Sequence, residues 1–142
     1  MKKHLALLSV LATLCVPPAF AVEKGTLAIL VNSLDNPYYS AEAKGAQAKA
    51  ESMGYKTLVL SHGEDVKRQG ELMSLVIGRK VQGIILDNAD SQASVAAVKQ
   101  AKDAGVPVVL INREIPVDGV ALAQISHNNF QAGSDVANEF VE

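Results

Sequence analysis

The sequence predicts an α/β fold in which an open parallel sheet is flanked by helices. Short apolar runs recur along the chain without the apolar–polar alternation of half-exposed strands, which indicates strands buried on both faces. Each run is followed by a longer segment with helical apolar periodicity. Three of these segments end at Gly54, Gly78 and Gly105, and glycine readily adopts the left-handed conformation that closes a helix.

The order of these elements predicts parallel strands joined by right-handed crossover helices. Strands are expected at Thr26–Val31, Lys56–Leu60, Gly83–Leu86, Val108–Ile111 and Ala121–Ile125. Helices are expected at Tyr38–Met53, Val66–Ile77, Gln92–Ala104 and from Phe130 to Val141. The apolar faces predicted for the first three helices are Ala43, Ala46, Ala50 and Met53; Leu72, Leu75 and Val76; and Val95 and Val98.

The length, composition and charge of the chain are typical of a single globular domain that does not bind nucleic acid. A chain of 142 residues allows about one ordinary domain. The hydrophobic fraction of 49% and the charged fraction of 20% are typical of a globular protein. A formal net charge of −2 gives no electrostatic footprint for nucleic acid, so no nucleic-acid partner is expected.

The first 21 residues are organised like a secretory signal peptide. Lys2 and Lys3 open a charged start, and the apolar run Leu5–Val16 is too short to span a bilayer, which takes about 20 residues. The triplet Ala19-Phe20-Ala21 matches the small-x-small cleavage pattern. Cleavage after Ala21 would place the mature chain in the periplasm. A buried N-terminal helix is the alternative.

The mature chain has few of the cysteine and histidine residues that catalytic thiol sites and zinc sites require. The single cysteine, Cys15, lies within the predicted signal peptide, and the mature chain has two histidines, His62 and His127. A thiol nucleophile and a zinc cluster are therefore excluded, and neither a metal nor a cofactor is expected.

A polar turn with two tyrosines follows the first predicted strand. Asn36 is expected to cap the next helix through its side-chain oxygen, and Pro37 suits the first helical position, whose N–H has no helical partner. Ligands of open α/β folds bind beyond the carboxyl ends of the strands. Tyr38 and Tyr39 would present aromatic faces and hydroxyls there, which suit a ligand with apolar faces and polar edges, such as a sugar.

Polar residues also follow the other strands, and parallel strands bring these ends together at one edge. Asn32, Asn112 and Arg113 are therefore expected near the two tyrosines. A guanidinium can grip two adjacent hydroxyls or a carboxylate, and the amide of Asn112 can both donate and accept. A solvated loop position is the alternative for Arg113. Also at this edge are Ser61-His62 and Asp87-Asn88, while Asp65, Asp90 and Ser91 stand where helix caps belong.

Four segments together resemble the periplasmic sugar-binding proteins of the ribose-binding type, the soluble receptors of ABC importers. These segments are Leu30–Tyr39, Gly45–Gln47, Val108–Arg113 and Ser126–Asn129. The resemblance implies a flavodoxin- or Rossmann-like N-terminal lobe of a type I periplasmic binding protein, which closes with a similar second lobe over one sugar. It also implies ligand-binding roles for Asn36, Tyr38, Tyr39 and Arg113, with Asn32 nearby.

Two positions depart from the pattern of the ribose binders. That family commonly has aspartate where this chain has Asn112, which removes an anionic acceptor, and it often has phenylalanines in place of Tyr38 and Tyr39. These differences favour a polyol, another monosaccharide or a sugar acid over ribose itself.

Together with the signal peptide, the lobes and hinge that the same resemblance implies divide the chain into four parts. These are a signal peptide (1–21), an N-terminal sugar-binding lobe (22–126), a hinge crossing (127–129) and the first helix of an incomplete C-terminal lobe (130–142). In the alternative, the last helix docks on the sheet as a further crossover helix. Half a cleft forfeits many ligand contacts, so this chain by itself is expected to bind sugar weakly or not at all.

The leading function is ligand capture for an ABC permease, with a chemoreceptor as a second candidate partner and a monomer as the expected state. The first alternative is the effector-binding lobe of a sugar-responsive transcriptional regulator, which would need a DNA-binding segment in place of the signal peptide. The second is a periplasmic carbohydrate-active enzyme, which needs paired carboxylates at the cleft. Asp35 and Asp87 are the acids considered for that pair, and the sequence shows no evident partner for either, so an enzyme is not expected.

Overall fold

The computed structural model describes residues 24–140. Its strands are β1 (Thr26–Val31), β2 (Lys56–Ser61), β3 (Gly83–Leu86), β4 (Val108–Asn112) and β5 (Ala123–Ser126). Its helices are α1 (Pro37–Ser52), α2 (Val66–Gly78), α3 (Val95–Asp103) and α4 (Asn129–Glu139). The predicted signal peptide and the last two residues of the chain lie outside the described residues.

The strands form one parallel sheet in the order β2-β1-β3-β4-β5. The predicted open parallel sheet is therefore confirmed. The chain leaves β1 for β2 on one side and then crosses to β3 on the other, so the strand order reverses next to β1. Ligands of open α/β sheets bind beyond the carboxyl ends of the strands at such a reversal.

One face of the sheet carries the larger core. Leu30, Leu86 and Leu110 stand side by side in β1, β3 and β4, and each is fully buried. Met73 of α2 and Val98 of α3 pack against this row. Helices α2 and α3 therefore form one layer, held to the sheet by the apolar burial that dominates folding.

The opposite face is covered by α1, which lies over β1 and β2. Ala43 packs there against Ile29 and Val31, and Tyr39 joins the same cluster. Farther along this face, Ile125 of β5 is 60% exposed.

Two predicted helical faces need correction. Met53 was expected on the buried face of α1 but is 48% exposed, because the helix ends at Ser52 and Met53 is its C-cap. Leu75 was expected on the buried face of α2 but is 42% exposed. The buried stripe of α2 is instead Gln69, Met73 and Val76, so a polar residue occupies a core position that an apolar pattern cannot reveal.

Gln69 is buried because both ends of its amide are satisfied. Its Nε2 donates to Ser94 Oγ at 2.8 Å, and its Oε1 accepts from the backbone N–H of Ala89 at 2.6 Å. The side chain thus ties α2 to the loop after β3 and to the start of α3.

Helix α3 begins at Val95, later than the predicted Gln92. The Asp90 carboxylate accepts from the backbone N–H groups of Gln92 and Ala93 at 2.9 and 2.7 Å, which closes a separate turn before the helix. Asp90 is therefore a cap as predicted, although the unit that it caps is this turn.

Helix α2 ends at the predicted Gly78, but this glycine does not adopt the left-handed conformation that was expected to close the helix. Gly54 and Gly105 have φ values of +86° and +76°, as expected, whereas Gly78 is still helical. The left-handed residue is Lys80, with φ of +55°, and the N–H of Val81 then reaches back to the carbonyl of Val76 at 3.4 Å. The closing turn lies two residues farther along than the glycine.

The end of the chain differs slightly from the predicted bounds. Strand β5 starts at Ala123, because Val120 and Ala121 pack against the core instead of pairing with β4. Helix α4 starts at Asn129 and is capped by Asn128, whose side chain accepts from the N–H of Gln131. Within residues 24–140, no helix has the length and apolar character needed to cross a membrane.

Candidate functional site

The carboxyl ends of β1, β3 and β4 meet at the reversal of the strand order. Asp87, the first residue after β3, donates its N–H to the carbonyl of Leu30 in β1 at 2.9 Å. The side chain of Asn112, at the end of β4, donates from Nδ2 to Asp87 Oδ2 at 3.1 Å. The edge residues predicted from separate strands are thus joined through Asp87.

Asp87 is the central acid of this edge and has no exposed surface. Burial raises the pKa of its carboxyl, while the hydrogen bond from Asn112 and the charge of Arg113 act in the opposite direction. Its Oδ1 receives no hydrogen bond from a nitrogen or hydroxyl donor among the described residues. A buried acceptor without such a donor gains a partner when a ligand hydroxyl reaches it, and here that requires the neighbouring side chains to move, because the oxygen has no accessible surface.

Asn112 reaches Asp87 from an unusual backbone conformation. Its φ is +66°, in the left-handed region that asparagine tolerates better than most residues. The next N–H, that of Arg113, donates to the carbonyl of Ile111 at 2.7 Å and makes a tight turn. This turn brings the side chain of Asn112 to Asp87.

The guanidinium of Arg113 makes hydrogen bonds within the protein. Its Nη1 donates to the backbone carbonyls of Asn88, at 3.1 Å, and Ala89. The side-chain amide of Asn88 in turn donates to the carbonyl of Arg113 at 2.6 Å. Arg113 therefore fastens the loop after β3 to the end of β4, which the sequence did not predict.

His62 supports Asp87 from the side of β2. It is fully buried, and its Nε2 lies 2.7 Å from the backbone carbonyl oxygen of Asp87, so this nitrogen carries the hydrogen. Burial lowers the pKa of the ring, which favours the neutral form. His62 thus has a structural role at this edge.

The two tyrosines have different surroundings. Their rings meet edge to face, with centroids 5.1 Å apart and an interplanar angle of 85°. Tyr39 is half-buried against the core under α1, whereas Tyr38 is 46% exposed. The Tyr38 hydroxyl lies 2.6 Å from Nε2 of His127.

The electrostatics place Tyr38 and Arg113 near a common acid. Burial raises the pKa of Tyr38, and the negative charges of Glu42 and Asp87 raise it further. The positive charge of Arg113 acts on the same Asp87. Tyr38 and Arg113 therefore both lie within electrostatic range of Asp87.

Asn36 and Asn32 occupy opposite extremes of exposure. Asn36 is exposed, and its Oδ1 accepts from the N–H of Tyr38 at 2.9 Å, which confirms the predicted cap. Asn32 is fully buried, and neither side-chain polar atom has a partner in the part of the chain that the structure describes. Asn36 retains a free amide for a ligand, whereas Asn32 does not reach the surface.

Glu42 belongs to this site but was missed in the sequence. It lies one turn after Tyr38 on α1 and is half-buried. Burial, then the charge of Asp87 and then a hydrogen bond to that carboxyl raise the pKa of Glu42 to about 7. The expectation that Asp87 has no acidic partner is therefore wrong, since an acid on another element faces it.

A hollow of about 380 Å³ adjoins the site on the face of the sheet that α1 only partly covers. Its polar rim comprises Glu42, Asn112, Ser126 and His127. Its apolar floor is formed by Ala46, Ile85, Val109, Ile111 and Ile125.

Comparison with known proteins agrees with this geometry. The sequence profile of the periplasmic binding protein domain matches residues 27–142. The chain belongs to the periplasmic binding protein family. The predicted family resemblance is therefore confirmed.

Three similar proteins illustrate how this periplasmic binding protein relates to its family. It is 50% identical to the D-apiose import binding protein of Actinobacillus succinogenes, over 84% of this chain and 39% of that protein. It is 31% identical to the ribose import binding protein of Escherichia coli, over 99% of this chain and 47% of that protein. An Agrobacterium vitis ABC transporter solute-binding protein, solved with bound D-fucose, superposes with a TM-score of 0.73 at 27% identity, over 81% and 41% of the two chains. The chain thus spans less than half the length of these relatives.

Proposed function

We propose that this chain forms the N-terminal lobe of a periplasmic receptor that captures a monosaccharide or related polyol for an ABC importer. The observation that supports this most directly is the polar edge at the strand reversal, where the buried Asp87 holds the side chain of Asn112 and its own Oδ1 receives no hydrogen bond from a nitrogen or hydroxyl donor among the described residues. The names of the import binding proteins at 50% and 31% identity point in the same direction.

The proposed contacts follow from the chemistry of each group. The free amide of Asn36 donates to a sugar hydroxyl, and Asp87 Oδ1 accepts from another once the side chains that cover it have moved. The edge-to-face rings of Tyr38 and Tyr39 offer an apolar surface to the ring of the sugar. Asn112 positions the Asp87 carboxylate by occupying its other oxygen.

A neutral ligand fits this edge better than a sugar acid. Nη1 of Arg113 is occupied by two backbone carbonyls, so only part of the guanidinium is left for a ligand. Asp87 and Glu42 place two acidic side chains beside it. A ligand carboxylate would therefore meet like charge at short range, which disfavours its binding.

An enzymatic role in sugar hydrolysis is disfavoured by the same acid pair. Glycosidases hold their two carboxyl groups about 5 Å apart or more, with the scissile bond between them. The charge of Asp87 and a hydrogen bond to its carboxyl both raise the pKa of Glu42, so the two acids lie too close together to hold a substrate bond between them.

In the whole receptor, residues 22–126 would form the N-terminal lobe, residues 127–129 would form the hinge crossing, and residues 130–142 would begin the second lobe. Residues 1–21 would direct the export of the receptor. Closure of two lobes on the sugar would give the permease, or a chemoreceptor, a shape to recognise. A monomer is sufficient for this function.

Amide NMR of the chain from Val22 to Glu142, titrated with D-apiose, D-ribose, D-allose and D-fucose, tests the proposal. A complete receptor with a dissociation constant of about 1 µM has about 8 kcal/mol of binding free energy, and one lobe supplying about half of it binds in the millimolar range. We expect millimolar shifts confined to amides around Tyr38, Asp87 and Asn112. An Asn112→Ala variant should weaken them, while Asn138→Ala on exposed α4 should not.

Shifts that map to α2 and α3 instead would overturn the assignment of the site. Complete absence of shifts with all four sugars, at concentrations that saturate a millimolar site, would overturn the proposed ligand class. Micromolar binding by this chain would contradict the view that half of the contacts lie elsewhere.

A further inference from the structure

Glu42 and Asp87 lie on the same side of the sheet, under the first turns of α1. Side chains alternate between the faces of a strand, so Asp87 shares its face with Ile85 and not with Leu86. Ile85 belongs to the cluster formed with Ala43 of α1, whereas Leu86 faces α2 and α3. Glu42, which precedes Ala43 on α1, is therefore on the side of the sheet to which Asp87 points, in agreement with the effect of Asp87 on its pKa.

Both carboxyl groups contain an oxygen removed from solvent. Glu42 Oε2 and Asp87 Oδ1 have almost no accessible surface, and neither receives a hydrogen bond from a nitrogen or hydroxyl donor within residues 24–140. Two ionised carboxylates in contact and away from water repel strongly, so one of them must hold a proton.

The surroundings decide which acid holds it. Asp87 receives the hydrogen bond of Asn112 and the favourable charge of Arg113, both of which stabilise its ionised form. No cation is among the groups that act on Glu42, and its pKa is raised to about 7. The other titratable groups around the pair are Tyr38 and Tyr39 on α1, Glu64 beside His62 after β2, and His127 after β5.

We propose that Glu42 and Asp87 share one proton, which makes Glu42 a hydrogen-bond donor that positions the Asp87 carboxylate for its ligand. The inference rests on the proposed function for the identity of that ligand, but the shared proton itself does not depend on it. Glu42 is thus a positioning residue of the ligand site, and the pair carries one negative charge instead of two.

The proton makes the site sensitive to pH near neutrality. The folded-state pKa of Glu42, about 7, is above its ordinary value of 4.5, so the folded chain holds a proton that the unfolded chain has released. Stability from this group is complete below pH 4.5 and is lost as the pH rises towards about 7. Above that pH, Asp87 loses its donor and faces a second negative charge.

NMR of the chain with ¹³C-labelled Glu and Asp carboxyl groups measures the proton directly. In the unsubstituted chain, through-bond assignment identifies the Glu42 carboxyl, and we expect its titration midpoint near 7, well above the ordinary 4.5. Asp87→Asn should move that midpoint down. Glu42→Gln should remove it and flatten the fall of melting temperature between about pH 4.5 and pH 7.5.

Glu71→Gln is the matched control, since Glu71 lies exposed on α2, and it should leave the Glu42 midpoint unchanged. A Glu42 midpoint between about 4 and 5 in the unsubstituted chain would overturn the shared proton. The two proposals fail separately. If the Glu42 midpoint is near 7 but the chain binds no sugar, the shared proton is supported and the proposed function is not. If the chain binds sugar but the Glu42 midpoint is ordinary, the proposed function is supported and the shared proton is not.

Discussion

The hydroxyl of Tyr38 and Nε2 of His127 lie 2.6 Å apart, although the two residues are far apart in sequence. Tyr38 belongs to the first turn of α1, and His127 follows β5 in the segment proposed as the hinge crossing. The contact therefore links an aromatic side chain of the proposed ligand site directly to the segment that would lead towards a second lobe.

Tyr38→Phe should loosen this link without removing the ring. An exposed hydrogen bond contributes about 1 kcal/mol or less, so the free energy of unfolding should change little. Amide hydrogen exchange at residues 127–129 should accelerate several-fold, because the loop loses its contact with α1. Tyr55→Phe, which changes a tyrosine remote from β5, is the control. Unchanged exchange at 127–129 would show that the hydrogen bond does not hold the loop.

Asn36→Ala should destabilise the chain by about 1 kcal/mol, because the N–H of Tyr38 loses its side-chain acceptor at the helix start. Asn36→Asp keeps an acceptor oxygen and adds a negative charge at the positive end of the helix, so it should retain the stability. Urea denaturation of the three proteins measures this. Equal losses in both variants would mean that the cap does not contribute through hydrogen bonding.

Gln69→Ala should cost about 2 kcal/mol or more, because the buried N–H of Ala89 and hydroxyl of Ser94 lose their partner. Gln100→Ala is the matched control, since Gln100 is exposed and its contact with Ser74 is long, at 3.5 Å. Guanidinium denaturation should separate the two variants clearly. Similar, small losses for both would contradict a structural role for the buried amide.

Asn112→Asp should make stability depend more steeply on pH. The variant replaces the donor to Asp87 by a second carboxyl, so the folded-state pKa of the acids at this edge rises further above the unfolded value. Stability is then full below about pH 4 and falls as the pH rises towards neutrality. Melting temperatures from about pH 4 to pH 8 measure the difference.

Asn138→Asp on exposed α4 is the control for the added charge. A melting curve of Asn112→Asp that follows the pH dependence of the unsubstituted chain would show that residue 112 does not interact with Asp87 in solution.

The elements that the sequence predicted best are those encoded by neighbouring residues. Strand β1 has its predicted bounds, and the caps at Asn36 and Asp65 are present, because a cap involves groups within three residues of one another. The predicted buried face of α2 was wrong because groups distant in sequence decide which side chains are buried there. Gln69 holds a core position because Ser94 and Ala89 satisfy its amide, and its own neighbours in sequence give no sign of this.

The candidate site also contains residues that the sequence pattern could predict and one that it could not. Asn36, Tyr38, Asn112 and Arg113 were predicted at this edge because residues after parallel strands share it, a rule that needs only the order of the elements. Glu42 was not found, since it lies within a helix and resembles any solvated acid. Its importance depends on Asp87 facing it.

The sequence by itself determined the fold class, the positions of the strands and helices, and which polar residues stand at the carboxyl edge. Tertiary structure alone decided that Glu42 faces Asp87, that Arg113 fastens a loop, and that Tyr38 meets His127. The physical reason is the reach of the interactions. Periodicity and capping act over a few residues, whereas these contacts exist because the sheet places β3 beside β1 and lays α1 across them.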